Sequence, residues 1–444
     1  MISNLRTLLD RIRKRDFSGN SGLTIKNSIY VFLSNFISKI GSIIFTIILA
    51  RMLMPELFGL YSLALTTILL FVGLSEFGFG RAFITYVSKE IGRNKEGKAK
   101  AYALFLLKIK LIAIIGTSIL LIFLSKLIAN NYYQKPIHLS LLVGALYVFF
   151  IGVSGTLEFF FQAINNFKIS LYKEILFQIM RIVLIPLTIL YLINESFSNE
   201  MQISSIIFVL AIIWLFISIF IYLSLKKVNF LKSKTEKLSK QEKNDLKKFI
   251  RHLFLFNYLM LFFTQIDILF LGRFVSAELI SFYAIAIGLI GSLGSLIAFS
   301  GVLLPIFSKL KKERLEEGLK KSIILTFIIS FIIFIFILIF SGIIIKVIYG
   351  SEYLPSINLL RLLSPMIITF PIMSIYLNYF ISKGKSFFIV KWMIILVILN
   401  IVLNYLIMLW LMKYGEMAII FGIGIVTILT KIFFLFILWN KHRG

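Results

Sequence analysis

Twelve separate stretches of mostly apolar residues occupy this chain, each as long as a bilayer is thick. They fall at 28–50, 57–80, 102–125, 138–161, 174–193, 203–225, 252–272, 279–306, 322–345, 357–380, 387–411 and 417–439. A helix that crosses the hydrocarbon core needs about 20 such residues. Barrel strands would instead read as short alternating segments, and runs such as Ile323–Phe340 do not alternate. With 59% of residues hydrophobic and 15% charged, the chain holds more apolar surface than a water-soluble fold can hide. Soluble enzymes and disordered tails are excluded, and the absence of cysteine excludes disulfide scaffolds and thiolate chemistry. The expected fold class is an all-α polytopic membrane protein of twelve transmembrane helices.

The few charges are strongly biased, at a net +27, and their placement is ordered. If successive connections are assigned alternately to two sides, and Lys391 at the start of its span is counted with the connection before it, 35 of the 47 Lys and Arg fall on the side of the N-terminus. The positive-inside rule then makes both termini cytoplasmic, in a multi-pass protein of the plasma membrane. Because the basic residues are scattered over segments separated by membrane, nucleic-acid binding is not expected. The first apolar stretch has full bilayer length and no cleavage-site pattern follows a shorter one, so no cleavable signal is expected. Residues 5–15 interleave Leu5, Leu8, Leu9 and Ile12 with five arginines and lysines, a pattern for a basic amphipathic helix at an anionic membrane surface. The expected organisation is a basic segment at 1–27, a six-helix bundle at 28–225, a basic linker at 226–251 and a second six-helix bundle at 252–440.

The central linker suggests duplication. A shift of 222 residues lays Leu49–Ala64 over Leu271–Ala286 with six identities, including Arg51/Arg273, Glu56/Glu278 and Tyr61/Tyr283, and Asn35 over Asn257. A Ser-Lys pair follows the next span in each half, at Ser88-Lys89 and Ser308-Lys309. Six spans per half give both halves the same orientation, a parallel repeat about an axis normal to the membrane. Transporters with such repeats bind substrate between the halves, near the midplane.

Arg51-Met-Leu-Met-Pro-Glu-Leu-Phe-Gly-Leu-Tyr61 resembles the segment after the first span of polysaccharide-biosynthesis membrane proteins. These are lipid-linked oligosaccharide flippases of the multidrug/oligosaccharidyl-lipid/polysaccharide exporter superfamily. Asp267–Glu278 with Tyr283, Phe161–Lys168 and Tyr349-Gly-Ser-Glu-Tyr353 are similar to later segments of the same family. Ser281 departs from it, since glycine is usual there. The resemblance implies two bundles around a central, often cationic cavity, a polyprenyl-linked glycan as substrate, and glycan polymerases or glycosyltransferases as possible partners. Membrane lipids are the other expected partner, and a monomer the expected state.

Ionisable residues inside spans are functional candidates, because a charge at the bilayer centre costs at least about 2.5–3.5 kcal/mol unless paired or hydrated. Lys39 and Asp267 lie deepest, Asp267 beside Gln265. Lys39, Arg181, Lys431, Asn35 and Asn257 are candidates for lining a substrate cavity. For Arg181 and Lys431, snorkelling to cytoplasmic headgroups is the favoured alternative. Asp267, Gln265, Glu76 and Glu158 are candidates for cation coupling or ion pairing, with Arg81 a possible partner for Glu76. Arg51 with Glu56, and Arg273 with Glu278, suggest an Arg–Glu clamp on the turn between paired helices. Gly288, Gly291 and Gly294 permit close packing in span eight, and Pro186, Pro365 and Pro371 could kink their spans.

The segment Gly92–Ala99 nearly matches a phosphate-binding loop but ends in alanine where Ser or Thr must reach magnesium. His138, His252 and His442 lie in separate segments, so neither metal site nor cofactor is expected. The loops of the non-cytoplasmic side are short, which disfavours a membrane polymerase or glycosyltransferase. The expected function is translocation of a lipid-linked oligosaccharide by alternating access, with an ion-coupled drug or metabolite antiporter as the alternative.

Overall fold

The computed structural model describes residues 19–76, 78–195, 197–297 and 312–443. The amphipathic segment at 5–15 and the Ser308-Lys309 pair lie outside them. The described residues form helices and short helical turns with no strand. Among the described residues eleven helical stretches are long and apolar enough to cross a membrane, and the first of these, Lys26–Ile91, contains two crossings. Its leading helix, Gly19–Glu76, has 58 residues, about 87 Å if straight and nearly three times the hydrocarbon core. It turns back at Met54, whose backbone leaves the helical region at φ 59° and ψ 170°. Pro55 explains the position of the turn, because proline removes an N–H donor and disfavours helical geometry in the residue before it. Spans one and two are the arms on either side.

The later spans are Glu96–Lys126, His138–Ala163, Lys168–Asn194 and Asn199–Ser224 in the first half. They are Lys240–Phe274, Ala277–Ile297, Lys312–Ile344, Ser356–Ser382, Ser386–Leu411 and Glu416–Arg443 in the second. Span seven starts inside the basic linker, where Ser239 caps the helix through a reciprocal capping box with Glu242. Span ten is broken between Leu363 and Met366, at Ser364-Pro365, whereas Pro186 and Pro371 sit inside continuous helices. The side of the membrane that carries residues 226–239 is called the linker side below, and the opposite side the far side.

Charges at the linker-side ends of spans are tied pairwise. Lys110 is 1% exposed and donates to Glu76 Oε2 at 2.6 Å and to the Ser75 carbonyl at 2.8 Å. Glu76 is therefore held by Lys110, a residue 34 positions away, and not by Arg81. Lys108, two residues from Lys110 and on another helix face, is exposed. Glu158 accepts from Lys173 at 2.8 Å and from Gln162 at 3.0 Å, which clips span four to span five around a turn carried by Asn165 at φ 57°. Glu76→Ala leaves Lys110 with one carbonyl partner in an apolar setting. Its expected cost is about 2–3 kcal/mol, seen as a lower Tm of the detergent-solubilised protein.

On the far side the two halves touch reciprocally. Spans three and nine both end in a π-helical turn, Leu127–Tyr133 and Ile345–Tyr349. Tyr353 donates to the Ala50 carbonyl at 2.8 Å. Tyr133 packs on Gly272, where a Cβ would lie 2.7 Å from its ring. Ala50 and Gly272 are equivalent under the 222-residue shift, so each half places a tyrosine against the same position of the other.

Candidate functional site

Between the halves lies a cavity of about 410 Å³. Its walls follow the repeat. Ser42, Phe45 and Thr46 of span one and Tyr61, Ser62, Leu65 and Thr66 of span two line one side. Their equivalents, Thr264, Asp267 and Ile268 of span seven and Tyr283, Ala284, Ile287 and Gly288 of span eight, line the other. The positions are symmetric but the chemistry is not, because the repeat places Phe45 in one wall and Asp267 in the other.

Two cations enter this cavity, one from each half. Arg181, 8% exposed, reaches it from span five. Its Nε donates to Gln178 Oε1 at 2.8 Å and its Nη2 to Ser42 Oγ at 3.0 Å. Its guanidinium lies 4.6 Å from the Phe45 ring centroid and 4.8 Å from that of Phe177. Glu174 accepts from the far end of Gln178 at 2.6 Å, so a glutamine stands between it and the arginine. Residues 174, 178 and 181 share one helix face by their spacing of four and three. Lys431, 4% exposed, enters from span twelve, 5.8 Å above the Phe263 ring. Among the described residues neither Arg181 nor Lys431 makes an ion pair.

Asp267, 2% exposed, is satisfied by hydroxyls. Tyr283 donates to Oδ2 at 2.8 Å and Thr427 to Oδ1 at 2.6 Å. A buried polar chain continues behind them into span eleven. Asn400 donates to Thr430 Oγ1 at 3.1 Å, and Asn404 to Asn400 Oδ1 at 2.9 Å. Buried polar groups need such partners, and each hydroxyl here has one.

Of the cavity-lining expectations, Arg181 and Lys431 do line the cavity, as do Asp267 and Gln265. Lys39, Asn35 and Asn257 are not in its walls. They lie toward the linker side, where Lys39 is half-buried, Asn257 partly buried and Asn35 exposed. Glu76 and Glu158 belong to the structural pairs above. The Arg–Glu clamp does not form. Arg51 donates through Nε to the Ile348 carbonyl at 2.7 Å and through Nη2 to that of Val347, while Glu56 and Glu278 are exposed. Arg273 has a buried Nη1 with no hydrogen-bond partner among the described residues. Arg51 thus latches the turn between spans one and two onto the end of span nine in the other half. Sequence reading missed Ser42, Gln178, Thr427, Asn400 and Asn404. The pair Asn400/Asn404, one helical turn apart in an apolar span, was the visible signal.

A family model described as polysaccharide biosynthesis protein matches residues 24–311, more than half of the chain. The chain belongs to that family. In fold it is similar to an inward-facing multidrug resistance MATE family transporter of the MOP superfamily, with TM-score 0.69, 15% identity, 91% of this chain and 94% of the other covered. It is also similar to the lipid II flippase MurJ in an inward closed conformation, with TM-score 0.66, 18% identity, 93% and 87% covered. A MOP superfamily transporter from Pyrococcus furiosus gives TM-score 0.59, 16% identity, 95% and 95% covered. No curated protein matches in sequence. At these identities the likeness speaks for the fold, a two-repeat, twelve-helix membrane bundle around a central cavity.

Proposed function

We propose that this family member translocates a polyprenyl-linked oligosaccharide from the cytoplasmic to the outer leaflet by alternating access, with the linker side cytoplasmic. The observation that carries this reading is the pair of buried cations, Arg181 and Lys431, that face one cavity from opposite halves and, among the described residues, make no ion pair. A buried unpaired charge is costly, and an anionic guest held between the two removes that cost. Arginine offers a fork of donors to a phosphate and lysine a point charge, so the phosphate that joins lipid to glycan is the matching group. The serine, threonine and tyrosine hydroxyls of the same walls suit the first sugars. A volume of 410 Å³ lies within the range of about 300–1,000 Å³ usual for small-ligand sites. It accommodates the phosphate end of the substrate while the lipid tail stays in the bilayer. Asp267 is the carboxylate a coupling cation would meet in the same cavity.

Closure of the far side by Tyr353, Tyr133 and Arg51 corresponds to the state that loads from the linker side. No atom of the described residues lies within 4 Å of a Cβ built at Gly288 or Gly291, so among them the wall of span eight is open there. Depletion of the protein in its source cell tests the function. Labelled lipid-linked oligosaccharide is expected to accumulate on the cytoplasmic leaflet, and undiminished delivery to the outer leaflet overturns the proposal.

A further inference from the structure

A second concavity, a groove of about 610 Å³, lies on the outer flank of the molecule and shares no residue with the central cavity. Its two walls come from different halves. Span three contributes Ile109, Ile112 and Gly116, and span seven contributes Lys247, Ile250, Arg251 and Phe254. Each set follows the three- and four-residue spacing of one helix face, so two helical stripes confront each other across the gap. Ile112 is 61% exposed, and a Cβ at Gly116 would meet no atom of the described residues within 4 Å, so among them the space between the stripes is open.

The polarity of the groove is graded. Its deep part is hydrocarbon, and the hydroxyl of Thr117 is already bonded to the carbonyls of Ala113 at 2.9 Å and Ile114 at 3.0 Å. Its linker-side end carries Lys247 and Arg251, one helical turn apart, exposed and in no ion pair among the described residues. An apolar slot of open wall that ends in two cations at headgroup level matches one molecule in a bilayer, a lipid with an anionic headgroup.

We infer that this groove is a binding site for an anionic membrane lipid, its phosphate held by Lys247 and Arg251 and one acyl chain laid between spans three and seven. The site sits on a seam already closed at the linker side by the Lys98–Glu242 ion pair at 2.5 Å and the Tyr86–Phe249 ring contact at 5.6 Å. A bound lipid therefore glues the two halves in the arrangement described here and makes the transport cycle sensitive to lipid composition. This inference is independent of what the central cavity carries.

The test uses the full chain with Leu120→Cys, which lies on the same face of span three one turn beyond Gly116, labelled with a bimane fluorophore. The native absence of cysteine makes the label unique. In nanodiscs of phosphatidylcholine, acyl-brominated phosphatidylglycerol is expected to quench the label at a mole fraction roughly thirtyfold below that needed for brominated phosphatidylcholine. Lys247→Glu with Arg251→Glu is expected to abolish that preference. Gly116→Phe, which fills open space, is expected to abolish it with the charges intact. Equal quenching of the unmodified site by the two lipids, or a preference that survives the charge reversal, overturns the inference.

Discussion

Arg181→Ala is expected to lower transport of a lipid-linked oligosaccharide in proteoliposomes by about 10- to 100-fold at unchanged membrane abundance. The magnitude follows from a charge-assisted hydrogen bond of about 1.5–3 kcal/mol made by a desolvated group. Arg181→Lys keeps the charge but loses the fork, and should fall between. Lys431→Ala is expected to act similarly. If both side chains hold one phosphate, the double variant should be less damaging than the product of the single effects, because removing either cation already loses the clamp. A short-chain polyprenyl phosphate should raise the Tm of the wild type and not that of Arg181→Ala. A purely structural role for Arg181 makes the opposite prediction, a lowered Tm without ligand and an unchanged ligand-induced shift. The local geometry favours the binding role, since Arg181 is held by neutral partners, Gln178 and Ser42, and by two aromatic faces, which position a charge without neutralising it.

These two residues also mark how far the sequence could be read. Charges within apolar spans are conspicuous, and Arg181, Lys431 and Asp267 were all visible for that reason, with Gln265 singled out only by its place beside Asp267. Distance along a span, however, measures depth in the bilayer and not distance to the cavity. Lys39 lies deep in its span by count, yet the cavity begins at Ser42, one turn further toward the far side. The partner of a buried charge is equally hidden, because Glu76 pairs with Lys110 across two helices, and sequence order favours the adjacent Arg81. The twelve-span fold was legible because two independent signals agreed, apolar length and the alternation of basic residues. The turn between spans one and two and the repeat that relates Tyr61 to Tyr283 were legible too, although the bend's place at Met54-Pro55 and the sharing of one cavity by both tyrosines needed coordinates. Neutral residues were the blind spot. Thr427, Asn400 and Asn404 read as ordinary interruptions of apolar helices until their mutual hydrogen bonds place them behind Asp267.

The largest conformational effect is expected from Gly59→Val. Gly59 is one member of the repeat pair whose other member is Ser281, and the two positions face each other where spans two and eight cross. A Cβ at Gly59 would clash with the carbonyl oxygen of Ala277 and lie 3.3 Å from the Ser281 nitrogen. Both are backbone atoms that cannot turn aside, so a branched side chain must push the two spans apart. Glycine at one of the two positions suffices for close passage, which explains why serine is tolerated at 281. Ser281 Oγ bonds the Glu278 carbonyl of its own helix at 2.6 Å and points no demand at span two. Forcing this crossing apart also separates Tyr353 from Ala50 and Arg51 from residues 347 and 348, so the far-side closure is lost as a unit. In a chain carrying Ser62→Cys as its single cysteine, a membrane-impermeant maleimide applied from the far side should label wild type slowly. The Gly59→Val background should label at least about tenfold faster, with transport abolished because the far side no longer closes. Tyr353→Phe removes one hydrogen bond of about 1 kcal/mol and should raise labelling about fivefold. Ser281→Gly should leave it unchanged. If Gly59→Val folds, by its unaltered elution on size exclusion, and labels no faster than wild type, the crossing of spans two and eight is not the contact that closes the cavity.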